Sequence, residues 1–600
     1  MIKLSDYVIQ FVANLGVKHI FMLSGGGCMH LVDSLGKCSN IEYVCNLHEQ
    51  AAAVAADAYG QCTNNIGAAL VTTGPGGTNT ITGVAAAWLD STPCLFISGQ
   101  VKQADMVGNR GVRQMGFQEI NIVNLVNSIT KYAVTVTDPD SIRYHLEKAV
   151  YLARNGRPGP VWIDIPLDIQ AAMIDDVKLV GFDSREVEQP VDRHLLQQQV
   201  SKSIHLLNQA ERPVILVGNG VRLAKAEEDF LRLIEILKIP VLTTWKTIDF
   251  LPESHWLFAG RPGSVGQRGA NFTQQNSDWL MTIGARLDFG QTGYDHHNFA
   301  RAAKKIIADV DPAEIHKMMM PIDVPVCADA RIFIREFIRQ GEKIARKDRS
   351  VWLKRCKSWL DRYPVVLPEH WEEKDYVNNY VLLEILSDEM CGDDLLIPGS
   401  SGACSERTMQ AFKVKEGMRI FNSEGLGPMG FGVPASIGGC LASGRKRTVC
   451  IDGDGGFQLN IQELQTIKRL NLPIKFFVLN NQGYASIRAT QQNYFGGHFV
   501  ASGPSSGLTL PDTLKIAAAY ELGTARIQNH SGMREKVRQI LDSDGPVVCE
   551  VMVLPDQVTA PKLSSRQLED GSMVSSPLED LWPFLERGEF SSNMVNSATG

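Results

Sequence analysis

The sequence predicts an α/β protein built from three doubly wound parallel-sheet domains. Three observations carry that expectation. Apolar runs of strand length alternate with helix-periodic stretches along most of the chain, the rhythm of parallel sheets covered on both faces. Those runs end in glycine- and hydroxyl-rich tips, as strands do where open sheets bind ligands. The chain is 600 residues long, and at about 100–200 residues per domain that accommodates three or four domains.

Residues 1–172 read as the first domain. Ser5–Gly16 is patterned as an amphipathic helix with Ser5 as its N-cap. A strand His19–Leu23 runs into Ser24-Gly25-Gly26-Gly27, and a strand Ile41–Leu47 runs into His48-Glu49 and an alanine-rich helix, Gln50–Gln61. Strand Gly67–Thr72, the turn Thr73-Gly74-Pro75-Gly76-Gly77 and helix Thr78–Leu89 follow. Residues 173–195 are polar and charged, as a linker is. A middle domain, 190–345, has strands Pro213–Val217, Trp279–Ile283 and Lys305–Asp309, with Gly218-Asn219-Gly220 and Gly284-Ala285-Arg286 at two of the tips. A third domain, 365–555, has strands Leu395–Pro398, Thr448–Asp452 and Ile474–Leu479, with Phe457–Leu470 patterned as a helix. Residues 556–600 form a polar tail with aromatic anchors, and Ser591–Gly600 read as disordered.

Composition narrows the function class. The 59 basic and 66 acidic residues give a net charge of −7, with no basic tract of the kind that binds nucleic acid. No apolar run reaches the ~18 residues that span a membrane, and the start, Met1–Asp6, has no apolar signal region. The twelve cysteines are scattered without a CxxC pair, which fits reduced thiols and a cytoplasmic location.

The chemistry concentrates in Gly453-Asp454-Gly455-Gly456, with 24 residues between Gly455 and Asn480-Asn481-Gln482-Gly483-Tyr484. Both segments close apolar strands, so both tips lie at carboxyl ends. Asp454 offers a hard carboxylate oxygen, Asn481 an amide oxygen and Gly483 a backbone carbonyl. With phosphate oxygens and water these make the octahedron Mg²⁺ requires. Asp454, Asn481 and Gly483 are therefore the candidate metal ligands.

This spacing resembles the fingerprint of enzymes that use thiamine diphosphate (ThDP), and the resemblance extends over most of the chain to acetohydroxyacid (acetolactate) synthases. Asn46-Leu47-His48-Glu49-Gln50-Ala51-Ala52-Ala53 is similar to the segment bearing that family's catalytic glutamate, which implies that Glu49 is held against N1′ of the cofactor's pyrimidine. Thr73 to Asn79, with Pro75 and Asn79 as cofactor contacts, belongs to the same resemblance. Gly26 and Gly27 match a glycine pair near bound substrate, and Gln118 in Phe117-Gln118-Glu119 matches a glutamine brought to the reacting centre. Glu424 to Gly432 resembles GLGxMGFG, so Gly427 and Met429 are expected to prop ThDP in its bent form. Gly399, Ser400 and Ser401 stand at the diphosphate, although the family's acidic residue and Val-Gly-Gln are replaced here by Ile397-Pro398-Gly399-Ser400-Ser401.

The family's middle domain holds FAD, which implies flavin contacts at Gly218, Gly220, Arg286, Asp309 and Asp329 and in Gly260–Val265, with no redox role. His296-His297 falls outside the first domain, where decarboxylases of this kind keep such a pair, and reads as a surface or flavin-side feature. Thr490 replaces a tryptophan that helps select small acceptors, and the tail resembles ThDP proteins of surface-polysaccharide gene clusters.

The resemblance implies a carboligase that decarboxylates pyruvate, a 2-ketoacid donor, and passes the two-carbon acetyl unit to a carbonyl acceptor. It also implies a homodimer or homotetramer with active sites between subunits. Acetyl transfer to a nucleotide-linked keto-sugar, a flavin-dependent pyruvate oxidase and a non-enzymatic scaffold are the alternatives.

Overall fold

The computed structural model describes residues 1–188, 191–399, 402–567, 570 and 573–595. Three parallel sheets, each flanked by helices, bear out the fold class. The first contains β1 (His19–Met22), β2 (Glu42–Cys45), β3 (Gly67–Val71), β4 (Cys94–Gln100), β5 (Tyr132–Thr135) and β6 (Pro160–Pro166), in the order β2-β1-β3-β4-β6-β5. The middle sheet is β7 (Pro213–Val217), β8 (Val241–Thr243), β9 (Trp279–Ile283), β10 (Lys304–Asp309) and β11 (Val324–Cys327), ordered β8-β7-β9-β10-β11. The third has β12 (Leu395–Pro398), β13 (Arg419–Ile420), β14 (Thr448–Gly453), β15 (Ile474–Asn480), β16 (Gly523–Ile527) and β17 (Val547–Met552), ordered β13-β12-β14-β15-β17-β16. The first and third sheets therefore share one topology. In every sheet the strand order reverses beside the first strand, which opens a crevice at the carboxyl ends. Gly399 and Gly453 flank that crevice in the third sheet, and Gly218 and Gly284 flank it in the middle one.

The alanine-rich segment explains how the outer domains join. Helix α1 (Glu49–Thr63) is buried along nearly its whole length. It packs on α2 (Pro75–Leu89) and, from the third domain, on α3 (Gly432–Ala442). A Cβ on Gly438 would stand 2.1 Å from Ala55 O, one on Gly83 2.4 Å from Ala53 Cβ, and one on Gly67 1.9 Å from Ala56 O. Glycine opposite alanine brings backbones together where any larger side chain would hold them apart.

Four local expectations are corrected. Ser5 is not an N-cap; Lys3 holds that position, and Ser5 is buried inside the helix Leu4–Asn14, its Oγ accepting from Ser34 at 2.8 Å. Phe457–Leu470 is not one α-helix: a 3₁₀ segment, Gly456–Glu463, breaks at Asn460 (φ −134°) before the α-helix Leu464–Leu470. The 173–195 stretch is not all linker, because Met173–Ile174 pairs with Ile2–Lys3 and a helix begins at Arg193. Ser591–Asn593 closes a helix, Arg587–Asn593, and 596–600 lie outside the described residues.

The tail docks on the middle domain. Asn271 and Arg268 donate to the carbonyls of Leu578 (2.6 Å) and Leu581 (3.1 Å), Gln275 and Arg301 to Glu579 (2.8 and 2.6 Å), and Trp359 Nε1 to Asn593 Oδ1 (2.8 Å). The bonds from Arg268, Asn271 and Gln275 satisfy polar side chains of a helix, Arg268–Gln275, that is buried on every side.

Candidate functional site

β14 and β15 end side by side, Gly453 opposite Leu479, and their tips form the candidate metal loop. Asp454 is 3% exposed; its Oδ1 accepts the Gly455 N–H at 2.9 Å and its Oδ2 the Gly483 N–H at 3.1 Å. Burial pushes its carboxyl up to about 6, against the opposite pull of these N–H donors and of Arg488. Asn481 Oδ1 is buried with no hydrogen-bond partner among the described residues. An amide oxygen left so is costly unless an electropositive group meets it. The loop is also strained: Gln482 has φ +61°, unusual for a residue with a side chain. Arg488, on α4 (Ala485–Tyr494), fixes it by donating to Asn481 O (2.9 Å) and Ser502 O (3.1 Å).

The expected diphosphate residues gather around this loop. A Cβ on Gly455 would lie 2.4 Å from Tyr484 Cε1 and 3.6 Å from Met429 Cε, so all three are neighbours. Gly427 (φ +60°) and Gly430 (φ +83°) bracket Met429 in left-handed conformations. Ser400 and Ser401 lie outside the described residues, but Gly402 next to them is close enough to Ser486 for a Cβ to fall 2.3 Å from its Oγ.

One residue here escaped the sequence reading. Asp452 is buried among Gly399, Gly432 and Gly456, each of which would press a Cβ to within 2.6 Å of its carboxylate. Burial raises its carboxyl to about 7. Its place in an apolar strand gave no sign of this, because the three glycines come from separate segments.

Glu49 opens α1, is 6% exposed, and accepts a hydrogen bond from Asn79 Nδ2 at 3.0 Å. Two residues named separately from the sequence thus meet. The turn before Glu49 is anchored on Glu463, which accepts from Asn46 Nδ2 (2.9 Å) and Leu47 N (2.7 Å). Glu463 ends the 3₁₀ segment that begins beyond Asp454, so Glu49 and Asp454 of one chain stand toward opposite ends of it. Pro75 sits exposed at the first turn of α2.

Gln118 is exposed, with φ +62°, on a loop whose Phe117 is 85% exposed. Gly74 backs it so closely that a Cβ would lie 2.3 Å from Gln118 O. Gly27 packs against Thr72 and Thr73 beside that turn, whereas Gly26 faces open space.

The residues expected at a flavin converge elsewhere. Gly220, Arg286, Asp309 and Asp329 line one cleft, partly open to solvent, at the carboxyl end of the middle sheet. Gly218 is not among the lining residues but packs against one of them, where a Cβ would meet Ala285 Cα at 2.2 Å. Burial raises the carboxyl of Asp309, whose Oδ1 accepts the Asp311 N–H at 3.0 Å. Asp329 spends one oxygen capping the helix Ala330–Arg339. Arg286 has φ +57° and donates to Leu89 O at 3.0 Å.

Arg261 of the Gly260–Val265 segment turns away from the cleft. Fully buried, it donates to Met409 O (2.8 Å) and Phe412 O (2.9 Å) and pairs with Glu253 (2.7 Å). His296 and His297 occupy a turn on the middle domain's surface. Thr490 lies exposed on α4.

Comparison with known proteins bears on all three domains. Residues 2–125 match the model for the N-terminal TPP binding domain of thiamine pyrophosphate enzymes, 200–337 their central domain, and 400–551 their C-terminal TPP binding domain. The chain is 32% identical over 569 residues to the acetolactate synthase large subunit of Cyanidium caldarium, covering 93% of this chain and 94% of the relative. It is 33% identical to the probable large subunit of Methanocaldococcus jannaschii, covering 92% of each. For the large subunit of Corynebacterium glutamicum the identity is 33%, over 93% of this chain and 88% of the relative.

Proposed function

The chain belongs to the thiamine pyrophosphate (ThDP) enzymes of the acetolactate synthase type, and on that premise we propose that it decarboxylates pyruvate and joins the remaining acetyl unit to a carbonyl acceptor. The observation that carries the reading is Asn481 Oδ1, buried and unpartnered in the loop whose Gly483 N–H holds Asp454. A carboxylate and an amide oxygen set at adjacent strand tips are a donor set for a hard divalent cation such as Mg²⁺. The relatives give no support to keto-sugar transfer or to flavin-linked oxidation.

When bound, ThDP supplies the nucleophilic carbon and the electron sink for decarboxylation. The chain's residues do the rest. Asp454, Asn481 and Gly483 would hold Mg²⁺ at the cofactor's diphosphate, with Gly399, Gly453, Gly455 and Gly456 letting the backbone come close. Met429, flanked by Gly427 and next to Tyr484, would pack against the cofactor. Glu49, aligned by Asn79, holds and exchanges a proton at the pyrimidine ring. Gln118, with Gly26 and Gly27 beside it, orients the substrate. Gly218, Gly220, Arg286, Asp309 and Asp329 suit a dinucleotide, and we assign the cleft to FAD in a non-redox role.

We assign the enzyme to homo-oligomers in the cytoplasm. Two exposed apolar sets, Val112, Met115 and Phe117 in the first domain and Ile487, Tyr494 and Phe495 in the third, favour a second copy of the chain. All twelve cysteines are free, which suits a reducing compartment. Among the described residues no helix is long and apolar enough to cross a membrane.

The test is CO₂ release from pyruvate with and without ThDP and Mg²⁺. Glu49→Gln is expected to lower it by about 10³-fold while calorimetry still shows ThDP binding. Wild-type turnover in that variant refutes the role of Glu49, and release that ignores ThDP refutes the function.

A further inference from the structure

A buried lysine joins the three domains at one point. Lys246 lies in a turn after β8 of the middle domain. Its Nζ donates to Gln61 Oε1 at the end of α1 (2.6 Å), to Asp90 Oδ2 after α2 (3.2 Å) and to Asn422 O of the third domain (2.7 Å). The side chains of Lys246 and Asp90 are 11% and 1% exposed. Asp90 passes the grip onward: its Oδ2 accepts the Glu424 N–H at 3.1 Å and its Oδ1 the Gly425 N–H at 2.8 Å. The carbonyl of Asn422 and the N–H groups of Glu424 and Gly425 are thus fixed from outside the third domain. Gly427, left-handed at φ +60°, and Met429 follow directly.

We propose that Lys246 and Asp90 act as a clasp that positions the Glu424–Gly430 loop, and through it Met429, for the cofactor. Lys246 is then a positioning residue for the reaction proposed above, and the inference rests on that reading. The chemistry of the site explains the residue types. The loop presents a carbonyl and two N–H groups to one buried spot, so it needs a donor and a two-oxygen acceptor together. A carboxylate alone would sit there unneutralised. A lysine from the third wall supplies the donor and the counter-charge at once, and its remaining hydrogen goes to Gln61. The loop is held by its main chain, so its placement depends on the clasp rather than on its own side chains. Small displacements of a group that sets reacting geometry are expensive in rate.

The test uses the full-length enzyme with Lys246→Met, Asp90→Asn and the double variant. Calorimetry of ThDP binding in the presence of Mg²⁺ is expected to show affinity weakened by about 10- to 100-fold in each single variant. The double variant should be no worse than the poorer single one, because the two residues act through one contact. At saturating cofactor, kcat should fall while the pyruvate KM stays within about threefold, the split expected when transition-state geometry rather than substrate binding is lost. Asp90→Asn keeps the packing, so it decides the matter if Lys246→Met does not fold. Variants that melt with wild-type Tm and bind ThDP as tightly as wild type overturn the clasp and leave the proposed function intact. A wild-type protein that binds no ThDP overturns both.

Discussion

The metal loop and the middle-domain cleft both lie at the carboxyl ends of parallel strands, yet they are built in opposite ways. The metal loop comes from two short segments, Gly453–Gly456 and Asn481–Tyr484, on neighbouring strands. Its Asp454 carboxylate is held by the main-chain N–H groups of Gly455 and of Gly483 on the neighbouring strand tip. The cleft is assembled from the tips of the middle sheet together with Asp90 of the first domain and Glu424 of the third. One site is local and stiff; the other exists only when three domains are in place. The difference teaches that a cation site can be written into a single supersecondary unit, whereas a pocket for a long ligand is a property of the assembly.

The largest expected effect tests whether the two sites are independent. Asp454→Ala should reduce ThDP- and Mg²⁺-dependent CO₂ release by about 10³-fold or more, while flavin binding, read by absorbance, stays within about twofold. Loss of flavin as well would dissolve the contrast. A carboxylate buried for architecture alone gives the next reference. Asp164 accepts from Ser98 (2.6 Å), Gln100 (3.2 Å) and Thr135 (3.0 Å), and burial raises it to about 6. Because this folded value exceeds the unfolded one of about 3.9, its contribution is complete below about pH 4 and is lost as pH rises through 6, by about 3 kcal/mol. Asp164→Asn should remove that slope, so the Tm difference from wild type should shift in the variant's favour between pH 4 and 7; a difference independent of pH would refute it.

Glycine substitutions then separate the two crevices by stiffness. A Cβ at Gly218 strikes main chain, Ala285 Cα at 2.2 Å and Gly284 O at 2.3 Å, whereas one at Gly455 strikes the movable ring of Tyr484. Gly218→Ala should cost about 2–3 kcal/mol in urea unfolding and Gly455→Ala about 1 kcal/mol, the second showing its damage in cofactor affinity instead. The smallest effect is Asp309→Asn, which should weaken flavin binding by about tenfold and leave ThDP binding unchanged.

Legibility in the sequence followed the same division. The fold was readable because β7, β9 and β12 are apolar runs closed by glycine or proline, and their ends were placed to the residue. Gly453-Asp454-Gly455 and Asn481 were readable because each closes an apolar strand, and the two strands pair directly. Cys94–Gln100 and Pro160–Pro166, both fully buried strands, went unnamed because a run buried on both faces has no alternation. Lys246 and Glu463 were invisible for a different reason. Each takes its meaning from a partner more than 150 residues away, and nothing in their local pattern marks it. Arg261 misled, since a match to a flavin-associated segment concealed a side chain that ties the middle domain to the third.

The contact of Ala55 in the first domain with Gly438 in the third leaves no space for even one methyl group. The outer two domains are therefore welded main chain to main chain, and they cannot slide over each other without breaking that seam. The middle domain is joined to the rest differently, through side-chain tethers such as Arg261 and Lys246 together with a main-chain bond from Glu253 N–H to Val414 O at 3.1 Å.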